Sequence, residues 1–128
     1  MSIKTVDNVS VISYVKIVVK AYKNEQGNIP YRKWLSSIKD NVVKVRILQR
    51  FDRVEYGHLG SFKALANGIY ELKLDFGPGY RVYYGMEEKK LIILLCGGDK
   101  STQKKDIAKA IEYWKDYKEN KNERTTNI

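Results

Sequence analysis

Between Ile69 and Phe76 the chain alternates, with Tyr70, Leu72, Leu74 and Phe76 on one side of an extended backbone and Glu71, Lys73 and Asp75 on the other. A period of two is the mark of a strand with one face in a core and one in water. The Gly77-Pro78-Gly79 turn follows, then a second strand over residues 80 to 86 and a polar turn over residues 87 to 90. A third strand covers residues 91 to 96, and its unbroken run Leu91-Ile92-Ile93-Leu94-Leu95 marks it as central. Together they predict an antiparallel three-stranded meander.

Ahead of the meander the period is helical. Pro30 suits the first position of a short helix, with Asn28 or Ile29 at its cap and Tyr31, Trp34, Leu35 and Ile38 recurring at helical spacing. Asp40 predicts the N-cap of a second helix, in which Val42, Val45, Leu48, Phe51 and Val54 make the apolar stripe and Gly57 the stop. Its other face carries Lys44, Arg46, Arg50 and Arg53. Residues 14 to 22, rich in β-branched and aromatic side chains, read as a first strand; residues 1 to 12 show no clear period. After Gly97-Gly98, Asp99, Ser101 or Thr102 caps a last helix whose stripe is Ile107, Ala110, Ile111, Trp114 and Tyr117. The run Glu119 to Ile128 is polar and aperiodic, so a frayed tail is expected. The expectation is one α+β domain over residues 1–128, with its core at about 14–117.

Charge narrows the partner. Of the 128 residues, 24 are Lys or Arg and 15 Asp or Glu, for a formal charge of +9, which favours polyanions through counterion release. Cys96 is the sole cysteine and His58 the sole histidine, one in an apolar run and the other in a loop. Neither metal binding nor Cys/His nucleophilic chemistry is indicated. The N-terminal apolar residues are interrupted before any signal core or membrane span forms, so the cytoplasm is the expected compartment, with no membrane partner.

The order strand, helix, helix, meander, helix, with Gly77-Pro78-Gly79-Tyr80-Arg81 and Gly97-Gly98-Asp99-Lys100-Ser101-Thr102-Gln103 in place, resembles the RelE/ParE toxin superfamily. Within it, the segments are most similar to the HigB-like "addiction module killer protein" branch. The resemblance covers roughly residues 14 to 117. It implies a compact α+β toxin that is neutralised by a cognate antitoxin, enters the ribosome and cleaves messenger RNA there, without a metal or other cofactor.

Metal-free RNA cleavage uses the substrate's 2′-hydroxyl as nucleophile, so the protein must move two protons and stabilise charge growing on the phosphate. Arg81, at the start of a strand, offers a planar fixed charge for that phosphate. Lys73, on the polar face of the preceding strand, comes near it across the turn, as base or acid or as an electrostatic clamp. Lys100 stands at a helix entrance, where free N–H groups favour anions, and Gln103 and Lys104 extend that site. The resemblance assigns Arg81, Lys73 and Lys100 to the scissile phosphate. It departs at Glu71, where the RelE strand has a second lysine, and at Asp106, where RelE has a catalytic tyrosine. Glu71 and Asp75 read as surface carboxylates pairing with Lys73, with service as a general base the alternative. Tyr80 and Tyr83 are candidates for stacking on bases, Tyr84 reads as core, and Arg46 and Arg50 are candidate phosphate contacts. Two other functions fit the same residues: a ParE-like DNA gyrase inhibitor, and a non-catalytic basic nucleic-acid-binding module.

Overall fold

A computed structural model describes residues 16–128 in full and residues 2–6 and 9–13 as backbone. Those two N-terminal segments, β1 (Ser2–Val6) and β2 (Val9–Ser13), pair antiparallel with each other, in a stretch whose sequence shows no clear period. The expected first strand is β3 (Val18–Tyr22); Tyr14 and Val15 lie outside the described residues. Then come α1 (Pro30–Ser37), α2 (Asn41–Glu55), a three-residue strand β4 (Phe62–Ala64), β5 (Ile69–Lys73), β6 (Arg81–Glu87) and β7 (Leu91–Gly98). A 3-10 turn at Lys100–Thr102 leads into α3 (Gln103–Asn120), and β8 (Thr125–Asn127) ends the chain. Among the described residues no helix is long and apolar enough to cross a membrane.

The predicted meander is present as β5-β6-β7, within a six-stranded sheet of order β4-β5-β6-β7-β3-β8. β7 is central, antiparallel to β6 and parallel to β3. One face of the sheet packs Val82, Tyr84, Ile92 and Leu94 against Tyr31 of α1 and Ile47, Phe51 and Val54 of α2. The opposite face packs Ile69, Tyr83, Ile93 and Leu95 against Ala110, Trp114 and Tyr117 of α3. A register shift between Tyr83 and Tyr84 pairs them with Cys96 and Leu94, so Leu95 is the extra residue of a bulge and sits with Cys96 in the α3-side core.

Asp40 caps α2 as expected, its carboxylate accepting from the Val42 and Val43 amides at 2.9 and 3.4 Å. The predicted stripe of α2 is corrected by a rotation: Phe51 and Val54 are buried, but Val42, Val45 and Leu48 are 68%, 50% and 43% exposed, and Ile47 and Val43 take the inner positions. Both sets recur at helical spacing, and only the position of the sheet distinguishes them. The polar side of β5 is not wet throughout either, because α3 covers Glu71 and leaves it 4% exposed.

The polar C-terminal run is also ordered, against expectation. Tyr22 Oη and Arg124 Nε both donate to Asp116 Oδ2, at 2.6 and 2.9 Å, and the Lys23 amide donates to the Arg124 carbonyl. β8 then pairs antiparallel with β3 and supplies the neighbour that strand lacks on its outer side. A run without apolar period is held by main-chain pairing and one buried guanidinium rather than by a hydrophobic face.

Ile47→Ala should cost about 3 kcal/mol by loss of buried volume, while Val45→Ala should change stability by less than about 0.5 kcal/mol; urea titration distinguishes the two faces of α2. Asp116 is held below its ordinary 3.8 by the Tyr22 hydroxyl and the Arg124 guanidinium. Its contribution is therefore complete above that value and is lost as pH falls through the lower folded one. Urea midpoints measured below about pH 4 should fall less steeply for Asp116→Asn than for the unmodified chain.

Candidate phosphate-binding cleft

The cleft forms at one end of the sheet, on its α3 face. β5 and β6 pair Lys73 with Arg81 and Glu71 with Tyr83, and β4 adds Lys63 opposite Glu71. Side chains at paired positions share a face, so Lys63, Glu71, Lys73 and Arg81 come together; with Ser61 and Phe62 they line a cleft of about 420 Å³. The turn between β5 and β6 uses Gly77 and Gly79 at φ 71 and 78, a conformation that L side chains adopt at a cost.

Arg81 is nearly enclosed, at 8% exposure. Its Nη1 donates to the Gly79 carbonyl at 2.6 Å. Its Nε lies 3.3 Å from Glu71 Oε1, an ion pair without hydrogen-bond alignment. Glu71 in turn accepts from Gln103 Nε2 at 2.9 Å on its other oxygen. The carboxylate is thus a buried partner of Arg81 and not, as the alternation implied, a surface partner of Lys73. Nη1 is thus the Arg81 donor with a hydrogen bond among the described residues, while Nε has only the ion pair and Nη2 is uncommitted.

Lys100 stands beside the turn that adjoins Arg81. A Cβ at Gly79 would stand 3.0 Å from Arg81 Nη1 and 3.4 Å from Lys100 Cβ, so the Arg81 guanidinium and the base of the Lys100 side chain flank the turn glycine. The turn that carries Lys100 is fixed by Asp99, which accepts from the Ser101 amide and hydroxyl at 2.8 and 2.5 Å and is held below the ordinary carboxylate range by them. Asp106 lies behind it, accepting from Thr102 Oγ1 at 2.5 Å. Gly98 leaves these groups their space, since a Cβ there would meet the Asp106 carboxylate and lie 2.7 Å from Thr102 Oγ1.

Other sequence candidates lie elsewhere. Arg50 donates from Nη1 to the His58 carbonyl at 2.8 Å and from Nη2 to that of Leu59, tying down the loop after α2. Arg46 lies over the Phe76 ring at 4.1 Å. Both stand on the α2 side of the sheet, away from Arg81. Tyr83 is fully enclosed and offers no face to a base; burial, with Glu71 and Asp106 nearby, raises its pKa and keeps the phenol neutral. Tyr84 is core, with its pKa pushed up to about 12 by burial. Tyr80 is half-buried between Trp34 and Phe76. Lys104 is exposed on the first turn of α3, next to Gln103. Cys96 is buried, its thiol pushed up to about 12 by that burial. Among the described residues, no group of three His, Cys, Asp or Glu side chains could hold a metal ion.

Sequence reasoning passed over Ser61 and Lys63. A three-residue strand is too short to show a period, and the Gly57–Ser61 stretch signals only a loop. Because Arg81 would be left buried and unpaired, Glu71→Ala should destabilise the protein by about 3 kcal/mol; Lys73→Ala, at an exposed position, should cost less than about 0.5 kcal/mol, both read by chemical denaturation.

Comparison with known proteins adds the family. A family model described as "Phage derived protein Gp49-like (DUF891)" matches residues 33–115, a span that holds α1 from its fourth residue, the whole meander and α3 as far as residue 115. An uncharacterised protein of Haemophilus influenzae is 46% identical over 82 residues, 64% of this chain and 83% of the relative. No solved structure matches. The Gp49-like family is RelE-like and associated with toxin–antitoxin modules, which implies a cognate antitoxin as partner. With the family model spanning most of the chain, and Arg81, Lys73 and Lys100 all inside the match, this protein belongs to the Gp49-like family.

Proposed function

We propose that this protein is the toxin of a type II toxin–antitoxin module, of the HigB-like branch, and a metal-independent endoribonuclease that cuts messenger RNA on the ribosome. The observation that carries the reading is the cleft that Arg81 and Lys73 line together, with Lys100 beside the Gly79 turn that adjoins Arg81 and with Arg81 paired to a buried carboxylate. A pre-oriented guanidinium in a water-poor site stabilises developing charge without reorganising first.

A phosphate seated between Arg81 and Lys100 would be attacked by the neighbouring 2′-oxygen. The 2′-O–P bond forms as the P–O5′ bond breaks, giving a 2′,3′-cyclic phosphate and a 5′-hydroxyl end. The 2′-hydroxyl proton leaves to bulk water, and O5′ takes a proton from the Lys73 ammonium. Lys73 is the residue assigned to proton transfer, since its ammonium is exposed and shares the cleft with Arg81. Both oxygens of Glu71 already have partners, so Glu71 orients Arg81 rather than taking the proton. Lys104 and Gln103 extend the cationic, hydrogen-bonding rim along α3.

Mapping 5′-hydroxyl RNA ends after induction tests the reading. The unmodified chain should produce new ends within translated messages, and Lys73→Ala should lower their rate of appearance by about a hundredfold while keeping the fold. Arg81→Lys, which retains a cation against Glu71 but loses the fork, should also fall by about a hundredfold. Growth arrest without new RNA ends, with trapped gyrase–DNA complexes in their place, would overturn the nuclease assignment.

A further inference from the structure

A larger cavity, of about 700 Å³, opens where β3 and β7 part company. β3 ends at Tyr22 and the chain turns away through Asn24–Asn28, whereas β7 continues to Gly98. Cys96 and Gly97 are therefore left without a β3 neighbour, and α1 and α3, on opposite faces of the sheet, wall the gap. We propose that this cavity is a nucleotide-binding site, which takes one base of the RNA strand whose scissile phosphate lies against Arg81.

The chemistry of the lining carries the assignment. Trp34 and Tyr113 present partly exposed aromatic rings to the cavity, and base–aromatic stacking tolerates any base. Trp34 is packed so closely on Gly97 that a Cβ there would collide with its indole, and Tyr113 is stacked on Tyr22 at 5.0 Å. Both rings are thus set by the core rather than free on the surface. Lys33 and Lys109 are exposed at the rim and make no ion pair among the described residues, so they are available to phosphates. One carboxylate, Asp106, also faces the cavity, but it is engaged by Thr102. Two cations against one committed anion, with two fixed rings, fit a nucleotide better than an apolar peptide.

Position links the cavity to the Arg81 cleft. Asp106 lines the cavity, while Gln103, one turn earlier on α3, hydrogen-bonds Glu71 in the cleft. Across the β6–β7 ladder, Gly97 and Gly98 pair with Val82 and Arg81. The first turn of α3 is thus the divider between the two, a body roughly 10 Å across. A single strand would pass over it, near Lys100 and Lys104, to bring a neighbouring base into the cavity.

The inference rests on the RNA-cleaving reading, yet its test needs no cleavage. The chain has two tryptophans: Trp34 lines this cavity, and Trp114 is buried under Gly85 at the far part of α3. Their indole N–H signals, observed by NMR on the full chain and assigned with Trp34→Phe, report the cavity and its control. Titration with 5′-AMP should move the Trp34 signal and leave that of Trp114 in place, and adenosine and inorganic phosphate should each bind more weakly than AMP. Lys109→Glu should weaken AMP by about tenfold. Lys118→Glu, the same charge change on the opposite side of α3, should stay within about twofold. An unmoved Trp34 signal, an equal response to phosphate alone, or equal weakening by both charge reversals would overturn the site. AMP binding with no RNA cleavage would remove the nuclease reading and keep the nucleotide site; cleavage with no AMP binding would do the reverse.

Discussion

Strand β7 has to be buried on both faces at once, and the layers of the protein follow from that. Its apolar run sits between β6 and β3, with α1 and α2 against one side and α3 against the other. Helices on both faces are the usual consequence of a strand with no polar side. The bulge at Leu95 turns Leu95 and Cys96 toward α3 together, and the two glycines beyond it let large groups approach from both sides: the Trp34 indole at Gly97, and the Asp106 carboxylate at Gly98. The end of β7 is therefore where α1, α3 and the β5–β6 turn meet, and both the cleft and the larger cavity lie around it.

Electrostatics there is divided between a buried part and an exposed part. Arg81 and Glu71 leave water together, an arrangement whose desolvation cost is offset only by good pairing and added hydrogen bonds. Gly79 and Gln103 supply those. The outcome is one cation fixed to the sheet, with Lys63, Lys73 and Lys100 more loosely disposed about it. Fixed charge suits stabilising a transition state, whereas exposed flexible charge suits capturing a polyanion and moving protons.

The edges of the sheet show a different economy. β8 covers β3 through main-chain pairing and the Asp116–Arg124–Tyr22 cluster, and both β3 and β8 fall outside the residues matched by the family model. On α2 the solvent face keeps Val42, Val45 and Leu48, so a helix with two apolar sides meets only one sheet. An exposed strip of this kind is enough to mislead a stripe drawn from spacing alone.

Local rules determined the elements. Alternation from Tyr70 to Leu74, the Asp40 cap, the Gly77-Pro78-Gly79 turn and the continuous run of β7 each act within a few residues, so α1, α2, the meander and α3 were legible, as was the nearness of Lys73 to Arg81 across a hairpin. Only the tertiary structure decided what covers what. Glu71 has the sequence context of a wet strand face, and α3, thirty residues on, turns it into the buried partner of Arg81. Tyr83 and Arg50 read as candidate RNA contacts, until packing enclosed the first and the loop after α2 engaged the second. The C-terminal tail had no period to read, because its order comes from pairing with a strand a hundred residues away. Spacing encodes faces, but burial is a property of the partner that arrives, and that partner is distant in the chain.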